Sequence, residues 1–558
     1  MQKNISIKLK PSEASDEESI RRYLALSVGK AESSITGFYK FKQSIDARSR
    51  QLVWVNLTLK VYIDEPFYQR EIAQVYFKET ANSTKRVIIV GAGPAGLFAA
   101  LKLLEQGIKP IILERGKEVR ARRRDLATLN REGIINPESN YCFGEGGAGT
   151  YSDGKLYTRS SKRGDVTRIL NLFYQFGADE KILYEAHPHI GTNKLPLIIT
   201  AIRQQIIDCG GTFLFEKKVI DFIVDTNEIK GVVTLDGETI LANAVILATG
   251  HSARDIYQLL HNKNILIEAK PFALGLRIEH PQALIDSIQY HCNPFSVPGA
   301  KRDEYLPPAS YSLVEQINGR GVFSFCMCPG GIIAPAATNS GEIVVNGWSP
   351  SKRDNPYANS GIVVQVESKD AEEYFAGLKK TGKNSSASPD DSNLLSRSVA
   401  ANNLTANSPL SLMYFQQHIE RLAFAAGGGK MVAPAQRMVD FSTNKISSSL
   451  PGCSYLPGVV SGDLAGVLPS FIHKRLQEGF KVFGKKMHGY FTNDAVAVAT
   501  ESRTSSPVRI PRDELSLEHP QIKNLYPCGE GAGYAGGIVS AAMDGEKVAG
   551  MIVKKFSF

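Results

Sequence analysis

The sequence has no long apolar run and no strong excess of charge of one sign. It contains no apolar stretch of about 18 residues, so we expect no membrane-spanning helix. The N-terminus lacks the apolar core of a signal peptide, which favours a cytoplasmic location. The net charge of +9 arises from 65 basic and 56 acidic residues. This mild excess favours anionic ligands without indicating nucleic acid.

Cysteine is also scarce. Seven scattered cysteines predict free thiols in a reducing compartment rather than a disulfide framework. Cys326 and Cys328 are spaced as CxC, which argues against a disulfide reductase with a CxxC redox pair. His187 and His189 have no cysteine cluster near them in the sequence, so we expect no metal site.

A glycine-rich motif between two apolar segments is the most informative stretch. Residues 87–90 predict a buried parallel strand, and residues 97–104 predict a helix. Between them, the G-x-G-x-x-G spacing lets the backbone approach a pyrophosphate and lets helix and strand pack closely. The positive end of the helix dipole would face the phosphates. The motif therefore predicts a dinucleotide site that includes Gly91, Gly93, Pro94, Ala95 and Gly96.

An acidic residue follows at the spacing typical of a ribose-binding group. Residues 110–115 predict a second strand with Glu114 near its end, about twenty residues beyond the last glycine. The carboxylate would accept hydrogen bonds from a ribose diol and repel a 2′-phosphate. We assign Glu114 and Arg115 to the cofactor site. The alternative is a tight strand–helix turn that binds no ligand.

Two later stretches resemble flavoproteins of the glutathione-reductase type. Residues 525–545 predict a short strand, a glycine-rich turn and a helix, and residues 244–250 predict a buried strand that ends in Ala-Thr-Gly. The resemblance implies that Glu530 binds a ribityl hydroxyl and that the last helix points at the flavin. It favours FAD over NAD and adds these residues to the cofactor site: Val219, Thr249, Gly250, Gly529, Glu530, Gly536, Gly537 and Ile538.

A second glycine-rich segment, residues 139–156, is too rich in glycine for a regular element. Its other residues are aromatic or form hydrogen bonds, unlike a Gly/Ser linker. We expect this segment to lie along the pyrophosphate and the flavin ring, the alternative being a flexible surface loop. Its expected contacts are Gly146, Gly147, Gly149 and Thr150.

The length allows about two to four domains. We predict an α/β protein with α+β parts, in which a Rossmann-like FAD-binding domain is discontinuous and holds an inserted second domain. A small N-terminal α+β module precedes it, with a role in packing, dimerisation or partner binding. The predicted bounds are 1–80 for the module, 83–270 and 491–558 for the FAD domain, and 271–490 for the inserted domain, with a polar insertion near 379–409.

Two irregular stretches of the chain, residues 325–331 and 501–510, are predicted to approach the flavin, because polar loops fixed by glycine or proline often face substrates. In this hypothesis Arg503 or Arg509 holds an anionic group, and Cys326 or Cys328 acts as a thiol. The alternatives are a hydrogen-bonded crossover loop for the arginines and buried, inert thiols for the cysteines.

Several motifs resemble a bacterial family of FAD-dependent dehydrogenases, also described as NAD(P)/FAD-dependent oxidoreductases. They are residues 44–48, 139–156, 189–195, 249–255, 325–331, 501–510 and 526–545. Asn193 and Ser502 depart from the pattern of this family. The resemblance covers nearly the whole chain apart from the polar insertion. It implies non-covalently bound FAD and a redox role, without specifying a substrate.

Three functions compete at this point. The first is an FAD-dependent oxidoreductase of a small molecule, with an anionic substrate and NADH or NADPH as candidate reaction partners. The flavin would carry the chemistry. The second is a flavin-dependent RNA-modifying enzyme, which the slight basic excess and the lack of an aromatic RNA-reading motif disfavour. The third is a non-catalytic flavoprotein with a partner-binding N-terminal module, which the number of motifs around the flavin disfavours. The sequence specifies neither the catalytic acid or base nor the oligomeric state.

Overall fold

A computed structural model describes residues 1–158, 164–292, 302–381 and 408–557. Most of the predicted polar insertion lies outside the described residues. The strands are β1 Gln2–Leu9, β2 Ile35–Asp46, β3 Trp54–Ile63, β4 Arg86–Val90, β5 Lys109–Leu113, β6 Thr212–Leu214, β7 Val219–Asp225, β8 Glu228–Thr234, β9 Thr239–Leu241, β10 Ala244–Leu247, β11 Glu268–Ala269, β12 Phe272–Pro281, β13 Val314–Ile317, β14 Arg320–Cys328, β15 Ile332–Pro335, β16 Val345–Trp348, β17 Tyr357–Val366, β18 Ala433–Arg437, β19 Val459–Ser461, β20 Val496–Glu501, β21 Val508–Arg509 and β22 Leu525–Pro527.

The helices alternate with these strands over much of the chain. They are α1 Pro11–Ser15, α2 Glu17–Val28, α3 Pro94–Glu105, α4 Val119–Glu132, α5 Val166–Gln175, α6 Leu195–Asp208, α7 Arg254–Asn262, α8 Gln282–Tyr290, α9 Ser368–Thr381, α10 Ser411–Ala426, α11 Met438–Ser442, α12 Ser470–Lys486 and α13 Ile538–Ser557. Within the described ranges, no helix combines the length and the apolarity needed to cross a membrane.

The N-terminal module is a three-stranded antiparallel sheet in the order β1-β3-β2, covered by α1 and α2. Alternate residues of β3 are buried, from Val55 to Ile63. They pack with Leu9, Ile20 and Leu24 in a small separate core, as expected for a period-two apolar pattern. The module contacts the rest of the chain through Gln43, whose backbone N–H donates to Tyr184 O at 2.8 Å and whose carbonyl accepts from Ala186 N at 2.9 Å.

The nucleotide-binding domain is built on a parallel sheet in the order β22-β10-β4-β5-β6. Its central strands are apolar because helices cover the sheet. Helix α3 packs closely against α13, the last helix. A Cβ placed on Gly545 of α13 would lie 2.0 Å from Ala95 O of α3. Because β22 and α13 come from the far end of the chain, this domain is discontinuous.

Strands β7, β8 and β9 follow β6 in the chain and form a separate antiparallel sheet. The alternating apolar pattern of residues 212–240 predicts three strands of one meander. Residues 212–214 instead pair with β5 in the parallel sheet, so the meander begins at Val219.

The inserted domain contains a seven-stranded sheet in the order β13-β14-β17-β12-β20-β18-β19. All its neighbours are antiparallel except β18 and β19. The apolar residues of β12 pack with those of α10 and α12 in the largest core of the molecule. Strand β20 belongs to this sheet although it lies beyond residue 490, the predicted end of the domain. The chain passes between the nucleotide-binding domain and the inserted domain twice, and β11 and β21 lie at these two points. They pair with each other in a short antiparallel ladder.

Candidate functional site

A cleft of about 410 Å³ lies where the carboxyl ends of β4 and β10 face the inserted domain. The carboxyl edge of a parallel sheet is where open α/β folds bind ligands, and the volume is that of a typical small-molecule site. Many of the predicted cofactor residues line it: Gly91, Gly93, Pro94, Ala95, Glu114, Arg115, Gly147, Gly149, Val219, Thr249, Gly250, Glu530, Gly536, Gly537 and Ile538.

The N-terminus of α3 opens into this cleft through the first glycine motif. Gly93 is the N-cap residue, and no side chain caps the helix there. A Cβ on Gly93 would have no protein atom within 4 Å, so the space beside it is free for a ligand. A Cβ on Gly96 would lie 2.1 Å from Gly91 O. Gly96 therefore serves the close approach of helix and strand and is not among the residues that line the cleft.

Glu114 is 4% exposed and lines the cleft just beyond β5. Its Oε2 accepts from Ala92 N at 2.9 Å, and its Oε1 accepts from Gly116 N and Gly144 N, each at 2.9 Å. The carboxylate thus joins both glycine-rich turns, a role that the sequence reading missed. Its predicted contact with a ribose stays a prediction.

Arg115 lines the same part of the cleft and is held on several sides. Its guanidinium lies 4.2 Å from the centre of the Phe143 ring. It also pairs with Glu138 at 2.6 Å and with Asp255 at 3.0 Å. These contacts fix the guanidinium group of Arg115 at the cleft wall.

The second glycine-rich segment forms one side of the cleft through Gly147 and Gly149. Gly146 and Thr150 lie behind that surface, where Gly146 N donates to Ala92 O at 2.9 Å and Thr150 Oγ1 donates to Glu145 O at 2.7 Å. They support the loop rather than line the cleft.

Arg122 supports the second glycine-rich segment and is not among the predicted cofactor residues. Its side chain is fully buried and donates from Nε to Asn140 O at 2.9 Å and from Nη1 to Glu145 O at 2.8 Å. It thereby fixes the glycine-rich loop from behind. The signal was present in the sequence, because Arg122, Leu126 and Leu129 share one helix face and are the buried residues of α4.

At the other end of the cleft, Thr249 and Gly250 follow β10, and Gly536, Gly537 and Ile538 lead into α13. Thr249 Oγ1 is buried and finds no hydrogen-bond partner among the described residues. A buried hydroxyl without a partner is costly, so Thr249 Oγ1 is a candidate hydrogen-bonding group for a bound molecule.

Glu530 lines this end of the cleft, with Oε1 3.4 Å from His251 Nδ1. Gly529 lies behind it and donates its N–H to Asp544 Oδ2 at 2.8 Å. The carboxylate of Glu530 therefore remains at the cleft surface, while Gly529 fixes the turn that presents it.

The inserted domain supplies the facing wall, which includes Phe325, Cys326, Asn346, Arg503 and Thr504. Four of these residues belong to the stretches 325–331 and 501–510, which were predicted to approach the flavin, and Lys155 lies near the end of the glycine-rich segment 139–156. Asn346 was not predicted. Asn346 is brought to the cleft by β16, which is distant in the sequence from the other cleft residues, so no local motif indicates it.

Cys326 lies on a bulge of β14, with φ of 48°. Its carbonyl accepts from Arg277 Nη2 at 2.8 Å. A hydrogen bond from Cys328, together with the charges of Lys155 and Arg277, lowers the pKa of the Cys326 thiol. The same hydrogen bond and burial raise the pKa of Cys328. Cys328 is fully buried and does not line the cleft.

The two predicted arginines are not brought together. Arg503 lines the cleft, but its Nη1 donates to Thr338 Oγ1 at 3.0 Å and its Nη2 lies 3.2 Å from Glu420 Oε2. Arg509 is exposed, 5.1 Å from the Tyr534 ring centre, and lines a different cavity. The predicted binding of an anion by Arg503 stays a prediction. In the structure the guanidinium group of Arg503 contacts other side chains of the protein.

The geometry fits a dinucleotide. The uncapped N-terminus of α3 and the free space beside Gly93 suit a pyrophosphate. Thr249 Oγ1 has no hydrogen-bond partner among the described residues and can bond to a ligand. The fold and the cleft define an FAD-dependent oxidoreductase with a Rossmann-like FAD-binding domain.

Comparisons with known proteins agree with this class. Residues 85–267 match the family model described as pyridine nucleotide-disulphide oxidoreductase. Residues 271–387 and 386–504 match the model described as FAD-dependent protein, C-terminal domain-like, and residues 1–62 match a domain of unknown function. An uncharacterized protein of Clostridium beijerinckii (strain ATCC 51743 / NCIMB 8052) is 38% identical over 532 residues, covering 92% of each chain. The chain belongs to this family of FAD-dependent oxidoreductases.

Two further matches are weaker or cover less of the chain. A tRNA uridine 5-carboxymethylaminomethyl modification enzyme of Alkaliphilus metalliredigens (strain QYMF) is 27% identical over 170 residues, 29% of this chain and 24% of the relative. The crystal structure of a glycine oxidase from Bacillus cereus ATCC 14579 superposes with a TM-score of 0.29 at 14% identity, covering 85% of this chain and 96% of the other.

Proposed function

We propose that this FAD-dependent enzyme is a dehydrogenase or reductase of a small molecule, with NADH or NADPH as the second redox partner. Bound FAD supplies the capacity to accept and release a hydride equivalent. The proposal rests chiefly on the facing wall of the cleft. There the inserted domain presents Cys326 and Asn346, and Lys155 lies beside them, instead of a closed apolar surface. A flavoprotein with only a structural role has no need of such groups.

Different residues along the cleft would bind the cofactor and orient the substrate. Gly93 and the N-terminus of α3 would hold the pyrophosphate, Thr249 and Glu530 would hydrogen-bond the flavin half, and Asn346 would orient the substrate. Cys326 Sγ would exchange a proton with the substrate, because its lowered pKa allows the thiolate to form near neutrality. Arg277, whose Nη1 lies 2.8 Å from Glu501 Oε2, holds the bulge that carries Cys326 in place.

No specific observation favours the RNA-modifying alternative. The matching tRNA-modifying enzyme is similar over only 29% of this chain. That length is about what a shared nucleotide-binding domain accounts for, so it does not support a common substrate.

The test is anaerobic reduction of the FAD-loaded protein by NADH and by NADPH, followed by reoxidation with candidate substrates. Cys326→Ser should retain its flavin while reoxidation by the substrate slows by about 10²- to 10⁴-fold, the usual contribution of a general acid or base. Cys209→Ser is the matched control, since Cys209 is buried at the end of α6 outside the cleft.

Two outcomes would contradict the proposal at different levels. Protein that retains no flavin after loading with excess FAD would exclude the function as a whole. Full reoxidation rates and an unchanged pH profile in Cys326→Ser would exclude the thiol and leave the FAD site intact.

A further inference from the structure

A second cavity adjoins the FAD cleft, and we propose that it is the binding site of a small anionic substrate carrying phosphate or carboxylate groups. This inference rests on the proposed function, because it supplies the substrate class for that site. It also gives the N-terminal module a role, since that module forms part of the cavity's rim.

The cavity, of about 1470 Å³, lies between three parts of the molecule. Ala47, Arg48 and Arg50 of the N-terminal module contribute one side, the nucleotide-binding domain a second, and the inserted domain the remainder. The module is fixed there by a hydrogen bond of 3.0 Å between His291 Nε2 and Ala47 O. The cavity is therefore a built feature of the domain arrangement.

Its lining is strongly cationic. No aspartate or glutamate is among the described residues that line it, whereas six basic side chains are: Arg48, Arg50, Lys155, Arg353, Lys485 and Lys486. Three histidines add further hydrogen-bonding groups. Clefts lined by one sign of charge concentrate ligands of the opposite sign.

Part of this charge is neutralised from behind the lining. Arg48 pairs with Asp46 at 2.7 Å, Arg353 with Asp153 at 2.6 Å, and Lys486 with Glu315 at 2.7 Å. Lys155 lies 3.8 Å from Asp153, a carboxylate that Arg353 already engages.

Arg50 and Lys485 have no carboxylate partner within the described part of the chain and are exposed. Six cations against three carboxylates leave a net positive charge, so the two unpaired side chains are the ones available to a ligand.

The cavity also communicates with the FAD cleft. Lys155, Tyr157 and Cys326 line both spaces. An anion held by Arg50 and Lys485 would thus extend toward the groups assigned to the redox site. The recess between three domains suits a small molecule better than a nucleic acid, for which an extended basic stripe is typical.

The experiment uses FAD-loaded protein, so that the cofactor's own pyrophosphate site is filled. Inorganic pyrophosphate and citrate are titrated separately by calorimetry, which distinguishes phosphate from carboxylate recognition. The double substitution Arg50→Glu with Lys485→Glu should raise the Kd of the preferred anion at least about tenfold. Lys3→Glu with Lys474→Glu is the control, because both lysines are exposed, lie outside the cavity and change the net charge equally.

The expected result is weak binding in the cavity variant, wild-type binding in the control, and equal flavin content in all three proteins. Equal anion affinity in the two double variants would overturn the proposal even if FAD is bound normally. Tighter binding of a single-stranded oligonucleotide than of either small anion, abolished by the same double substitution, would also overturn it in favour of a nucleic-acid site. Loss of flavin from wild-type protein would instead contradict the proposed function.

Discussion

The two walls of the FAD cleft differ in the chemical groups that form them. The nucleotide wall presents backbone, with glycines whose missing side chains leave room for a ligand and a helix N-terminus that no side chain caps. The facing wall is supported by charged side chains that neutralise each other, since Arg254 and Arg503 both contact Glu420 at 2.8 and 3.2 Å. Substitutions in the first wall should therefore affect FAD, and those behind the second wall should affect folding.

The largest effect is expected behind the second wall. Glu420→Ala would leave two buried arginines with Glu342 as their one carboxylate partner among the described residues, 3.1 Å from Arg254 and 3.4 Å from Arg503. Breaking a buried ion pair costs about 3–5 kcal/mol, measured as a lower free energy of unfolding in urea. Glu17→Ala is the control, because Glu17 is 78% exposed and pairs only loosely with Arg21. A loss below about 1 kcal/mol would show that the network is not a structural clamp.

Gly93→Val should act on FAD alone. The backbone of Gly93, with φ of −76° and ψ of −178°, is open to valine, and the new Cβ meets no protein atom within 4 Å. The side chain would occupy ligand space, at a cost of about 1–3 kcal/mol for overpacking, or about fivefold to 150-fold in FAD affinity.

Gly96→Ala provides the contrast to this substitution. Its Cβ would lie 2.1 Å from Gly91 O, so the melting temperature should fall before any effect on the cofactor appears. A Gly93→Val protein with normal flavin content would show that this glycine is only a turn residue.

A third prediction uses pH to examine the inserted domain. Burial raises the pKa of Glu279 from 4.5 to about 7, so the folded state favours the protonated form. The stabilisation is complete below pH 4.5 and is lost as the pH rises through about 7, with a slope of about 1.4 kcal/mol per pH unit at most. Glu279→Gln should flatten this dependence in urea unfolding between pH 5 and 8. A parallel pH profile in both proteins would assign the titration to other groups.

The smallest effect is expected for Thr249→Val. Its Oγ1 has no partner in the described protein, so the variant should be as stable as wild type without FAD. With FAD it should lose one hydrogen bond, about 0.5–1.5 kcal/mol, seen as a two- to tenfold weaker affinity, roughly. Unchanged affinity combined with lower stability of the apoprotein would place the hydroxyl in the fold and not in the cofactor site.

The contrast between the walls also explains which features the sequence revealed. The strand, turn and helix around Gly91 and Gly93 follow from residues within about ten positions, and local spacing carries that information. The partners of Arg503 do not follow from local spacing, because Glu420 is 83 positions away in the sequence and Glu342 is 161 positions away. Side-chain pairing across such separations depends on the tertiary fold, so the sequence reading could name Arg503 without finding its network.

The same reasoning applies to Arg509 and Arg122. Arg509 was grouped with Arg503 because they are six residues apart, yet the crossover loop turns it toward Tyr534 and solvent. Arg122 was one of four neighbouring arginines, and only its position on the buried face of α4 distinguishes it. Charge is visible in the sequence, and helical spacing indicates which face Arg122 occupies, whereas the groups that each arginine contacts require the surrounding structure.

The position of β22 has a consequence for biosynthesis. Strand β10 pairs with β4 on one side and with Leu525–Pro527 on the other, and α3 is covered by α13. During translation, domains form as the chain emerges from the N-terminus. Here four of the five strands of the nucleotide-binding sheet are synthesised first. Strand β10 then keeps an unpaired edge, and α3 an uncovered apolar face, until more than 270 further residues have been synthesised. An exposed edge of this kind invites association with other chains, so the nascent protein should depend on chaperones until its last strand arrives.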